Sequence, residues 1–117
     1  MPEEYAALVE AMKGLTQDDV TLPVAENEWN TRPDMESYGT IACEFEADAL
    51  NGDNAKLDAA YEGSVDLYSR KKDGAGWIPL IRRALAEHCE SAWHLNSHNY
   101  ERETGLFHWE WVFQVEE

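Results

Sequence analysis

The sequence predicts an α+β fold: a single antiparallel β-sheet with two α-helices packed on one face, in the order α-β-β-α-β-β. Three observations carry that reading. Leu106 to Val115 alternates Phe107, Trp109, Trp111, Phe113 and Val115 with Leu106, His108, Glu110, Val112 and Gln114. Successive side chains of a strand face opposite sides, so the first row is a nearly all-aromatic face that must pack under a large partner layer. Tyr38 to Asp48 and Ala59 to Arg70 show the same period of two, while Tyr5, Leu8, Val9 and Met12, and later Ile78, Ile81 and Leu85, fall at helical spacing. Strands with helices gathered to one side form an α+β sandwich.

Each element has a local cause. Pro2, Glu3 and Glu4 open the first helix, because proline needs no amide partner there and acids suit the positive end of the helix dipole. Gly14 supplies its stop. Thr16 to Asp34 is polar and irregular, broken by Pro23 and Pro33, with Leu22, Val24 and Trp29 as anchors; a long loop, or one holding a short edge strand, is expected. In the strand that follows, Ile41, Cys43, Phe45 and Ala47 face one way and Thr40, Ala42, Glu44, Glu46 and Asp48 the other, as in a half-buried strand. Asn51-Gly52-Asp53-Asn54 has turn chemistry. The next strand sets Tyr61, Gly63, Val65 and Leu67 against Glu62, Ser64, Asp66 and Tyr68. These two strands are expected to pair as an antiparallel hairpin, with Leu50 to Asp58 projecting between them. Asp73-Gly74-Ala75-Gly76 breaks the chain before a helix over Trp77 to Cys89, which tolerates Pro79 in its first turn. Trp77, Ile78, Ile81, Ala84, Leu85 and His88 form its inner face. A short strand around Trp93 to Asn96, then a turn over Asn99 to Gly105, leads into the closing strand.

At 117 residues the chain reads as one domain, 1–117. Asp and Glu number 24 against 9 Lys and Arg, for a net charge of −15. Such a chain repels phosphate backbones and lacks the basic footprint of a nucleic-acid binder. The plain reading of the acidity is solubility; the sharper one is a surface that does not hold nucleic acid passing nearby. No apolar run approaches a membrane span, and the opening MPEEY lacks the pattern of a secretory leader. An intracellular, reduced chain is expected, with Cys43 and Cys89 as small buried residues.

No catalytic, cofactor or metal site is expected, and therefore no enzyme. Cys89, His94 and His98, with His88 and His108 nearby, resemble half of a zinc site but lack an accompanying Cys-x2-Cys. Neither cysteine has the basic surroundings that activate a thiol. Glu44 with Glu46, and Glu101 with Glu103, read as solvated faces. The oxygen-rich stretch Asp48 to Asp58 departs from the calcium-loop spacing, and Gly74-x-Gly76 is an isolated pair. Arg70-Lys71-Lys72 is the one basic cluster, read either as a solvated strand end or as a docking patch for an acidic neighbour.

Taken together, the helix around Tyr5-Ala-Ala-Leu-Val-Glu-Ala-Met, the strand Ser64-Val-Asp-Leu-Tyr-Ser, the helix Trp77-Ile-Pro-Leu-Ile-Arg-Arg-Ala-Leu and the closing Gly105-Leu-Phe-His-Trp-Glu-Trp-Val-Phe-Gln-Val resemble, in content and order, the tail terminator or tail-completion (head–tail joining) proteins of long-tailed phages and prophages. The resemblance spans roughly residues 5 to 115 and brings no catalytic motif. It implies a non-enzymatic virion protein, assembled in the host cytoplasm and resident in the tail or neck. There it would form a homo-oligomeric ring, commonly a hexamer, that ends the tail tube and meets the head connector. DNA would pass through the lumen without specific binding. Candidate interface residues on this reading are Asn51, Gly52, Asp53 and Asn54 of the projecting loop, the cluster Arg70, Lys71 and Lys72, and His108 and Glu110 on the mixed face of the last strand. A reading from another class is a small acidic protein-binding module, an inhibitor or DNA mimic.

Overall fold

The computed structural model describes residues 3–27, 35–47 and 60–116. Helix α1 (Glu3–Lys13) buries the stripe Tyr5, Leu8, Val9 and Met12, with Glu3 and Glu4 in its first turn and Lys13 in its last. The Gly14 amide closes it on the Glu10 and Ala11 carbonyls, at 3.0 and 3.2 Å. Two short strands follow, β1 (Thr16–Gln17) and β2 (Val20–Thr21), paired antiparallel as a small ribbon. Their turn residues Asp18 and Asp19 have φ of 48° and 65°, the doubly left-handed turn that matches strand twist and that aspartate tolerates.

The main sheet has five strands: β3 (Val24–Glu26), β4 (Ser37–Ala47), β5 (Ala60–Ser69), β6 (Trp93–Glu101) and β7 (Leu106–Glu116), in the spatial order β3-β4-β5-β7-β6. All pairings are antiparallel except β3 with β4, which is parallel. The expected single antiparallel sheet in the order α-β-β-α-β-β is thus corrected to a mixed five-stranded sheet plus a two-stranded ribbon. The difference arises wholly within Thr16 to Glu26. Strands of two or three residues are too short to show a period of two. Leu22, buried between ribbon and sheet strand, anchors the segment. The strand foreseen around Trp93 to Asn96 runs on to Glu101.

A 3-10 turn (Gly74–Gly76) leads into α2 (Trp77–Cys89). Gly74 and Gly76 take φ of 76° and 86°, which glycine adopts without strain. Both helices cover the same face of the sheet. One core joins Tyr5, Leu8 and Met12 of α1, Ile81 and Leu85 of α2, Val65 and Leu67 of β5, and Trp109, Trp111, Phe113 and Val115 of β7. The aromatic row of the last strand therefore packs beneath the helices. This works because β7 is not a sheet edge: it is inserted between β5 and β6, with both neighbours supplying the walls of the aromatic layer.

Candidate functional site

The opposite face of the sheet holds a row of rings. Tyr38 of β4, Tyr68 of β5 and His108 of β7 share one register across three adjacent strands. Strands lie about 4.8 Å apart, so planar side chains at equal register stack. Tyr38 and Tyr68 have centroids 4.8 Å apart, and Tyr68 and His108 4.2 Å, each pair within 13° of parallel.

The next register step holds Thr40, Asp66 and Glu110. Asp66 is buried, and a buried carboxylate requires partners. His108 Nε2 donates to its Oδ1 at 2.7 Å, while Thr40 and Ser64 hydroxyls donate to Oδ2 at 3.4 and 3.5 Å. His108 Nδ1 meets Glu101 Oε2 at 3.2 Å. Both ring nitrogens thus face carboxylate oxygens, an arrangement that favours the doubly protonated imidazolium form. Burial by itself lowers the His108 pKa; the hydrogen bond and charge of Asp66, with the charges of Glu101 and Glu110, outweigh it and hold it above 6.5. Burial first, then the Asp66 and Glu101 charges, push the Tyr68 phenol upward, so it stays neutral. With both nitrogens engaged inside the chain, His108 offers no lone pair to a substrate.

The mixed row of β7 is therefore less open than an outer face. His108, Glu110 and Val112 are half-buried, Leu106 is buried and Gln114 is exposed. Glu110 accepts a hydrogen bond from Asn96 Nδ2 of β6 at 2.7 Å. Among the sequence candidates, the structure brings His108 and Glu110 onto one face. Arg70, Lys71 and Lys72 are exposed at the end of β5, where the Arg70 amide donates to the Glu36 carbonyl at 2.8 Å and the Lys71 amide to Ser69 Oγ at 3.0 Å. Asn51, Gly52, Asp53 and Asn54 lie outside the described residues.

Cys89, His94 and His98 do not converge. A bulge between Leu95 and Ser97 of β6 sets His94 opposite Val112 but His98 opposite Trp109, so the two histidines face opposite sides. His98 stacks on Trp109 at 4.5 Å. Cys89 is buried at the end of α2, and burial, with the Glu4 charge, pushes its thiol up to about 12. Among the described residues no group of three His, Cys, Asp or Glu side chains is arranged to hold a metal ion.

Sequence reasoning missed the Tyr38–Tyr68–His108 stack and the Asp66–His108 pair. Their signal was present as two polar rows, Ser64-Asp66-Tyr68 and His108-Glu110, but only the adjacency of β5 and β7 turns two rows into one network. Compared with protein-family models and with curated proteins, the chain matches none.

Proposed function

We propose that this chain is a non-enzymatic virion structural protein that forms a ring at the head–tail junction of a long-tailed phage or prophage, where it ends the tail tube and joins it to the head connector. The observation that carries this reading is the open end of the sheet. Strand β6 runs for nine residues and, among the described residues, pairs only with β7. An edge of that length exposes a row of unpaired amides and carbonyls, a ready template for another chain. Leu95 and Tyr100 on it are exposed, although proteins commonly blunt such edges with charge or proline.

The resemblance in element order supports the same reading, and so does the charge. At −15 per copy, a closed ring would have a strongly acidic lumen, past which a DNA duplex slides without adhering. The engaged state of His108 fits a structural role. The test is light scattering and negative-stain microscopy of the purified chain, alone and with tail-tube and connector proteins. A discrete oligomer with a central hole is expected. A strictly monomeric chain at high concentration, with no partner able to drive assembly, would overturn the proposal. Capture of a single basic enzyme in equimolar complex would favour the inhibitor reading instead.

A further inference from the structure

The acids of this chain are unevenly spread. Its two longest stretches without Asp or Glu are residues 74–86 and 91–100. The fold places these side by side: the first is the 3-10 turn and most of α2, the second nearly all of β6. Between them runs a groove lined by Ile78, Arg82, Trp93, Leu95, Trp109 and Trp111. The Arg82 guanidinium lies over the Trp93 ring, 5.7 Å from its centroid. Beyond α2 the same face of β6 continues as His98, stacked on Trp109, and Tyr100, whose ring meets Phe107 at 4.8 Å. Of the three large hydrophobic side chains exposed among the described residues, two, Leu95 (48%) and Tyr100 (52%), belong to this strip. The strip is aromatic, bears Arg82 and His98, and borders the open edge of the sheet.

We infer that this α2–β6 strip is the surface on which a second copy of the chain docks, head to tail, through the acidic edge around β3. The inference rests on the ring reading above and names the contact that closes the ring. Charge complementarity selects the occupant. Two chains of −15 repel wherever acid meets acid, so close contact requires that one of the two surfaces be free of acids. A two-fold contact of strip on strip would set arginine and histidine against their own kind. A head-to-tail contact instead sets the strip against an acid-bearing surface, and such contacts generate rings when the rotation closes. The far edge of the same sheet offers that surface: Glu36 just before β4 is exposed, as are Asp18 and Asp19 in the ribbon turn, while Glu26 on β3, also exposed, already pairs with Lys13 at 3.8 Å. The exposed apolar side chains supply the buried centre of the contact, and the charges its rim.

The experiment is sedimentation velocity on the full chain and on Leu95→Glu, Tyr100→Glu and Arg82→Glu, with Gln114→Glu, exposed on the opposite face of the sheet, as control. Leu95 and Tyr100 are exposed, so the variants should keep the wild-type circular dichroism and melting temperature. The expected result is that Leu95→Glu and Tyr100→Glu raise the subunit dissociation constant at least about 100-fold and Arg82→Glu about 10-fold, with Gln114→Glu unchanged. A folded Leu95→Glu/Tyr100→Glu double variant that still assembles like wild type would overturn the inference and leave the ring reading standing. A wild-type oligomer that these variants dissociate, but that is an open chain rather than a ring, would support the strip and overturn the ring. A wild-type chain with no self-association would overturn both.

Discussion

His108 shows how one side chain can tie a sheet together. It neutralises the buried Asp66, reaches Glu101 at the end of β6, and ends the stack begun by Tyr38 and Tyr68. Removing one partner of a buried ion pair leaves the other charge uncompensated, an effect of about 3 kcal/mol or more. His108→Gln is therefore expected to lower the unfolding free energy, read from urea titration, by an amount of that order at about pH 6. The pH dependence has a definite sign. The folded pKa lies above the unfolded value of 6.5, so the histidine's contribution is complete below pH 6.5 and is lost as pH rises through the folded value. The wild-type advantage over His108→Gln should therefore shrink between about pH 6 and about pH 9. Paired denaturant titrations at the two pH values measure it, and an advantage that grew with pH would refute the imidazolium assignment.

At the scale of elements, the β4–β5–β7 junction depends on one missing side chain. The register of β4 against β5 shifts between Cys43 and Phe45, and Gly63 of β5 lies at that shift. A Cβ built on Gly63 would sit 2.2 Å from the Ala42 carbonyl oxygen and 2.7 Å from Phe113 Cζ, so a bulge and a buried ring both close over the glycine. The carbonyl is fixed in the ladder and cannot yield as a flexible side-chain tip would. Gly63→Ala should therefore destabilise by about 3 kcal/mol, the upper range for overpacking, with thermal melting as the measure; a melt within a degree of wild type would show that the strands can part cheaply there. Gly63 also marks how far the sequence could be read. Its place on the inward row of a strand was legible, as were α1, α2, β4, β5 and β7, because each shows several repeats of its own period. The ribbon was not, and β3 was expected only as the alternative of a short edge strand, without bounds or partner, since two or three residues carry no period and are held by tertiary contacts such as Gln17 Nε2 to the Ala75 carbonyl at 2.8 Å. The candidate site was legible only in halves: His108 was marked as belonging to a mixed row, but nothing local to it names Asp66, forty-two positions away.

For the whole molecule the deciding quantity is the reach of its charge. At −15 every approach of one copy to another is repulsive over distances set by the ionic atmosphere. The Debye length is about 30 Å at 0.01 M salt and about 8 Å at 0.15 M. The molecule measures 49 × 30 × 21 Å. At low salt, then, an approaching copy feels nearly all of the net charge. At physiological salt it feels only the groups facing it across the contact, where an acid-free strip meets acids and the sign reverses. Assembly should accordingly respond to salt in two phases. The chain should be largely dissociated at about 0.01 M, where global repulsion wins, and associated at about 0.15 M, where repulsion is screened and the local attraction persists. Above about 0.5 M the attraction is screened as well, but burial of Leu95 and Tyr100 does not depend on charge, so dissociation there should be partial. Sedimentation across that salt series measures the response. Arg82→Glu should assemble less at about 0.15 M and converge on wild type at high salt, because it removes only the screened part of the contact. Association strongest at the lowest salt would instead mean that local complementarity outweighs the full −15 even unscreened.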